Sequence, residues 1–225
     1  MRKSFLFPFL LALLSVGIAA QERFVRPVDE GKLDPSFVTF RARLIAATER
    51  RDAAYIKKIL DPEIQLSFGG DSGLADFRRI WKIEKKDSEF WETFLPVIKN
   101  GGTFFRNSNG RISNVFYAPY SFQAFPEDLD PFEHCVIFGS NVKLRAAPSL
   151  KAEVKELLSY NVVKIDDSAT IMTGKPEKPE CYRITTLGGK QGFVNAKYVR
   201  SPIAYRAGFE KKRGIWKMVT FIAGD

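Results

Sequence analysis

The sequence predicts a mixed α+β protein: an α+β N-terminal domain over residues 21–135, a small all-β barrel over 136–200 and a C-terminal β-hairpin over 201–225. Three observations carry the prediction. Apolar residues recur at helical spacing through the first half, short alternating stretches bounded by glycine and proline turns fill 136–200, and the last segment alternates around one charged turn. At 225 residues, 45% hydrophobic and 27% charged, the chain has the length of two domains and the composition of a folded protein, which excludes disordered, collagen-like and coiled-coil classes.

The first twenty residues read as an address. Arg2 and Lys3 precede an apolar run over 5–14 and then the small residues Ser15, Gly17, Ala19 and Ala20, the pattern of a secretory signal peptide with the mature chain starting near Gln21. The run is shorter than the roughly 20 residues a membrane helix needs, and Pro8 breaks it. No cysteine follows the small residues, so the expectation is a protein without a lipid anchor or a membrane span once the leader is gone, placed in the periplasm or outside the cell. Nucleic acid is not an expected partner there.

In the N-terminal domain, Asp34-Pro35 is an N-cap followed by proline at the first helical position, and Phe37, Phe40, Leu44 and Ala47 follow on one face. Asp52 caps a second short helix with Tyr55, Ile56, Ile59 and Leu60 inward, stopped at Asp61-Pro62. Ile64, Leu66 and Phe68 alternate as a strand, and the turn 69–73 leads into a third helix carrying Leu74, Phe77, Ile80 and Trp81. A fourth helix spans 88–98. Residues 103–105 and 115–125 are aromatic-rich and expected to be extended. Gly69-Gly70-Asp71-Ser72-Gly73 reads as a strand-to-helix turn, since no lysine sits where a phosphate-binding loop would need it. The cluster Phe116, Tyr117, Tyr120, Phe122 and Phe125 reads first as core and second as the floor of a ligand groove.

Charge is uneven. Residues 21–135 hold 17 basic and 18 acidic residues, whereas 136–225 hold 16 and 8, so the second part carries nearly the whole surplus and points to an anionic partner. With one histidine and two cysteines the chain cannot assemble the common metal-ligand or Cys/His catalytic sets, so no metal, cofactor or catalytic residue is expected. His134 and Cys135 are neighbours on an extended segment, which turns their side chains to opposite faces. Export would expose Cys135 and Cys181, the only cysteines, to an oxidising compartment, which makes them candidates for a disulfide, with two buried thiols as the alternative.

From 136 onward the turn chemistry becomes specific. Asn141-Val142 leads to Arg145 and then Pro148-Ser149; Tyr182 and Ile184 form a Tyr-x-Ile pair; Gly189-Lys190 leads to Gly192-Phe193-Val194; and Tyr198-Val199 closes the unit. In order and spacing these residues resemble the bacterial SH3 (SH3b) family over about 136–200. Cys181 stands where many members carry a tryptophan, and 166–180 is a longer loop than theirs. The resemblance implies a non-catalytic SH3-like barrel that binds a peptidoglycan stem peptide or an envelope protein. Its binding surface is expected to join basic residues to aromatic edges: Lys143, Arg145, Lys190 and Lys197 with Tyr182 and Phe193.

The final segment alternates Tyr205, Ala207 and Phe209, turns at 211–214, and alternates again at Trp216, Met218, Thr220 and Ile222. It looks like the last hairpin of the cone-shaped SnoaL-like α+β fold. That resemblance implies that the hairpin returns to the N-terminal sheet and the barrel is an insertion; the alternatives are an independent α+β domain or a hairpin that extends the barrel. A second functional reading, a small periplasmic enzyme or ligand-binding protein, would require polar residues such as Asp71, Asp76 and Tyr117 to converge on one N-terminal pocket.

Overall fold

The computed structural model describes residues 21–172 and 179–224. The signal-peptide reading lies outside the described residues. The helices form where capping and periodicity place them. In α1 (Pro35–Glu49) the Asp34 carboxylate accepts the N–H groups of Ser36 and Phe37 at 2.8 and 3.2 Å, and the helix buries Phe37, Leu44 and Ala47. Asp52 caps α2 (Ala53–Ile59) through the Tyr55 N–H, and the chain passes directly into strand β1 (Leu60–Gln65). Pro62 is tolerated in β1 because that strand is a sheet edge. Then follow α3 (Gly73–Trp81) and α4 (Glu89–Lys99), the latter capped by Ser88.

Strands β2 (Thr103–Arg106) and β3 (Ile112–Ala118) form a hairpin. The extended run expected over 115–125 is cut short at Ala118: Pro119 cannot continue the ladder, and Tyr120–Gln123 form the short helix α5. The chain rejoins this sheet only at β11 (Arg206–Lys212) and β12 (Ile215–Ile222), a hairpin whose turn residues Arg213 and Gly214 both have positive φ, as a two-residue type I′ connection requires. The sheet order is β1-β12-β11-β3-β2, with β1 parallel to β12 and the other pairs antiparallel. The C-terminal hairpin thus returns to the N-terminal sheet rather than extending the second one. Ala207 sits opposite Ala118, so everything between them is an excursion from one sheet.

One face of this sheet packs on the helices. The seven largest side chains less than 2% exposed are all phenylalanines: Phe37, Phe77, Phe90, Phe94, Phe116, Phe209 and Phe221. The rings meet at angles, Phe37 lying 4.2 Å from Phe116 and 4.8 Å from Trp216 between centroids. Burying each ring stabilises the fold by up to roughly 3 kcal/mol before chain entropy is set against it.

The excursion builds a second, wholly antiparallel sheet from β4 (His134–Ile137), β5 (Val142–Arg145), β6 (Val154–Leu158), β7 (Val162–Met172), β8 (Pro179–Thr186), β9 (Gln191–Asn195) and β10 (Val199–Arg200), in the order β10-β4-β7-β8-β9-β5-β6. Two expectations need correction. The small barrel is not seen as a closed one, because no ladder among the described residues joins β6 to the two-residue β10. The long loop expected over 166–180 is largely strand, since β7 runs to Met172 and β8 starts at Pro179. Val142, Leu144, Val163, Ile184 and Val194 form this sheet's core, with Tyr182 packed against it.

The segment after Gln21 ties the two sheets together. Val162 donates its N–H to the Arg23 carbonyl, and Val25 donates to that of Tyr160, both at 2.8 Å, before the chain turns into α1. Val25, Tyr120, Val136 and Val162 make a small apolar cluster between the sheets.

Candidate functional site

Strand alternation sorts the expected site residues into three groups. On β5, Val142 and Leu144 point into the second core, so Lys143 and Arg145 point outward. Arg145 lies opposite Phe193 on β9, and Cys181 lies opposite Asn195. Because these residues share one face, Lys143, Arg145, Cys181, Phe193, Asn195 and Lys197 line a single groove of about 300 Å³ with Ser149 and Tyr198. Four of the six expected binding residues, Lys143, Arg145, Phe193 and Lys197, therefore come together.

The other two do not. Tyr182 is one residue along from Cys181, opposite Val194, and the two-residue period turns its ring to the core face. Lys190 sits in the β8–β9 turn, where its ammonium pairs with Glu156, whose carboxylate raises the lysine pKa. Asn195 and Tyr198 were missed as site residues. Asn195 could have been found by the same alternation that carried Phe193, two positions before it.

Within the groove, Arg145 Nη1 donates to the Ala152 carbonyl at 2.6 Å, which fixes the guanidinium over the loop that follows β5. The Lys197 ammonium lies 4.7 Å from the Tyr198 ring centroid. Among the described residues no carboxylate lines the groove, and none pairs with Lys143, Arg145 or Lys197. Three cations beside Phe193 and Tyr198 thus make a positive, partly aromatic cleft, suited to a ligand bearing a carboxylate on an apolar stem. The Cys181 thiol at its floor is 6% exposed, and burial, reinforced by Glu180, pushes its pKa up, which keeps it protonated and a poor nucleophile.

No bridge joins Cys181 to Cys135, correcting the disulfide candidate. Cys135 pairs with Val163 on β7, which in turn pairs with Thr186 on β8, five residues along β8 from Cys181. Two strand spacings of about 4.8 Å and five residues of about 3.3 Å separate the thiols far beyond disulfide reach. His134 is buried, 6% exposed, and its Nδ1 lies 2.9 Å from the Asp130 carbonyl. It points away from Cys135, whose sulfur belongs to the second core.

The polar residues of the N-terminal alternative do not converge. Asp71 and Asp76 both bind Arg79, at 2.6 and 2.9 Å, on the surface beside the 69–73 turn. That turn is closed by its own hydrogen bonds, from the Asp71 N–H to Ser67 Oγ and from the Leu66 N–H to the Asp71 carbonyl. Tyr117 lies on the far face of the sheet against Phe122, 5.6 Å between centroids. No helix among the described residues is long and apolar enough to cross a membrane, and no group of three His, Cys, Asp or Glu there is placed to hold a metal ion. Compared with known proteins, the chain matches no family model and no curated sequence.

Proposed function

We propose that the protein is an exported, non-catalytic binding protein of the bacterial envelope. In this reading the second sheet acts as an SH3b-like module, and its groove holds an acidic peptide: a peptidoglycan stem peptide or a carboxylate-bearing segment of an envelope protein. The single observation that carries the reading is the meeting of Lys143, Arg145 and Lys197 with Phe193 and Tyr198 in a groove that no carboxylate lines among the described residues. The leader pattern supports export, and the charge surplus of 136–225 supports an anionic partner. The competing reading, a pocket in the N-terminal α+β domain formed by Asp71, Asp76 and Tyr117, is disfavoured because Asp71 and Asp76 pair with Arg79 while Tyr117 packs against Phe122.

Retention of the mature protein on purified sacculi at low and high salt tests this. Binding should weaken steeply with salt, because exposed charges are screened over about 8 Å at physiological ionic strength. Lys143→Glu combined with Lys197→Glu should abolish retention while shifting stability by no more than about 0.5 kcal/mol, as surface changes do. Lys190→Glu should leave retention intact, since that lysine is outside the groove and already paired with Glu156. Undiminished retention by the double variant would move the contact surface elsewhere.

A further inference from the structure

The aromatic cluster of residues 116–125 divides between two destinations. Phe116 and Tyr120 are 0% and 3% exposed and belong to the cores. Tyr117 on the other face of the first sheet, Phe122 on α5 and Phe125 just after it stay half-buried, the last also packed against the cluster of Val25 and Tyr120, and with Phe105 of β2 they line a second groove of about 520 Å³. Its polar lining comes from Thr103, Arg106, Gln123 and Glu127.

The rings are held in place. A Cβ on Gly208 would stand 2.8 Å from the Tyr117 ring, so glycine there lets that ring lie against the sheet. Phe122 meets Tyr117 edge-on, and the Arg206 guanidinium stacks 4.4 Å from the Phe122 centroid. Phe105, by contrast, is 46% exposed at the rim.

Two kinds of ligand fit poorly. A peptide adding itself as a strand to β2 would need that strand's outer backbone groups, but the Glu30 carboxylate accepts the Phe104 N–H at 3.0 Å and Arg106 Nη1 donates to the Phe104 carbonyl at 3.3 Å. An anion is poorly served, because the lining cation Arg106 is paired with Glu30, the buried Arg206 beside Phe122 donates to the Gly224 carbonyl, and the lining also carries the Glu127 carboxylate. What remains is a neutral ligand with one apolar face and a rim of hydroxyl groups. Gln123 uses its Oε1 to accept the Thr103 hydroxyl, which directs its amide N–H groups to other acceptors, and Glu127 offers oxygens to hydroxyl donors. The electron-rich faces of the rings attract the polarised C–H groups of a sugar.

We propose that this groove binds a neutral sugar, one or two pyranose units of a glycan strand, seated on the rings of Phe105, Tyr117, Phe122 and Phe125 and hydrogen-bonded by Gln123 and Glu127. The volume is in the range of small-ligand sites, about 300–1,000 Å³. The site is on the first sheet and does not depend on the basic groove of the second.

The test titrates the mature chain with chitotriose and with cellotriose, read by saturation-transfer NMR. Transfer to ring protons of at least one sugar is expected, with Kd on the order of 1 mM, and Phe105→Ala should weaken it about tenfold or more. Glu127→Gln, on the surface, gives a second arm and should also weaken binding. Lys143→Glu with Lys197→Glu should leave sugar binding unchanged, which separates this site from the peptide reading. Absence of transfer from both sugars, or equal affinity in Phe105→Ala and Glu127→Gln, would overturn the assignment. So would a dimer of the sugar-free chain that Phe105→Ala dissociates, since a second copy would then occupy the groove.

Discussion

Asp34 joins three parts of the protein through one carboxylate. It caps α1, accepts the Ser36 hydroxyl at 2.6 Å and pairs with Lys211 on β11 at 3.1 Å, while Ser36 Oγ in turn accepts the Trp216 indole N–H at 3.0 Å. The Ser36 hydroxyl bond, helped by Lys211 and the helix N–H groups, holds the carboxyl well below the usual carboxylate range, at about 2. A depressed folded-state value means that the ionised form stabilises the fold above the ordinary pKa, near 4, and that this contribution is lost as pH falls toward 2. Asp34→Ala should therefore cost about 1–2 kcal/mol at neutral pH, as cap removals do. The gap to the unaltered chain should close between about pH 4 and pH 2. Urea unfolding of both proteins across that range measures it, and a gap of constant size would show that the charge is not responsible.

At the scale of elements, the segment after Gln21 does work that its sequence does not advertise. Glu22 accepts the Thr186 hydroxyl at 2.6 Å and the Asn161 amide at 3.2 Å, and Thr186 and Asn161 are themselves buried. Glu22→Ala leaves both donors without this acceptor and should destabilise the protein by about 1–3 kcal/mol, with Glu22→Gln recovering part of the loss. Equal melting temperatures for all three proteins would mean that the segment lies on the second sheet without holding it. The elements legible in the sequence are those whose signal is local: the Asp34 and Asp52 caps, the helical spacing after them, and the turn residues at 188–192 and 213–214. Tyr182 and Lys190 were misplaced for a different reason. A strand's period tells which residues share a face, but which face meets the core depends on partners distant in sequence, and a lysine's neutralisation by Glu156 depends on a strand more than thirty residues away.

The same limit operates at the scale of the whole molecule, where the most consequential pairings are the longest. β12 lies between β1 and β11, so a strand near the C-terminus completes a sheet begun near residue 60 and contributes Trp216, Met218 and Phe221 to its core. Composition and alternation identify that hairpin, but only the closing of a long loop decides its partner, and the entropic cost of such closure grows slowly enough with length to permit a large insertion. The ends of the excursion meet: Ala118 and Ala207 are cross-strand partners, with Cα atoms about 5 Å apart. Two chain alterations should then differ sharply. Removing 201–225 takes away two of five strands, leaves β1 without its ladder, and is expected to abolish cooperative unfolding of the helical half. Replacing 119–205 with a short Asn-Gly-type turn removes far more residues yet should retain a cooperative melt, because the five-stranded sheet and its phenylalanine core remain complete. Circular dichroism melts of the two proteins give the comparison. If the shorter truncation melts cooperatively and the larger excision does not, the excursion is the framework on which the N-terminal half folds, rather than a module carried by it.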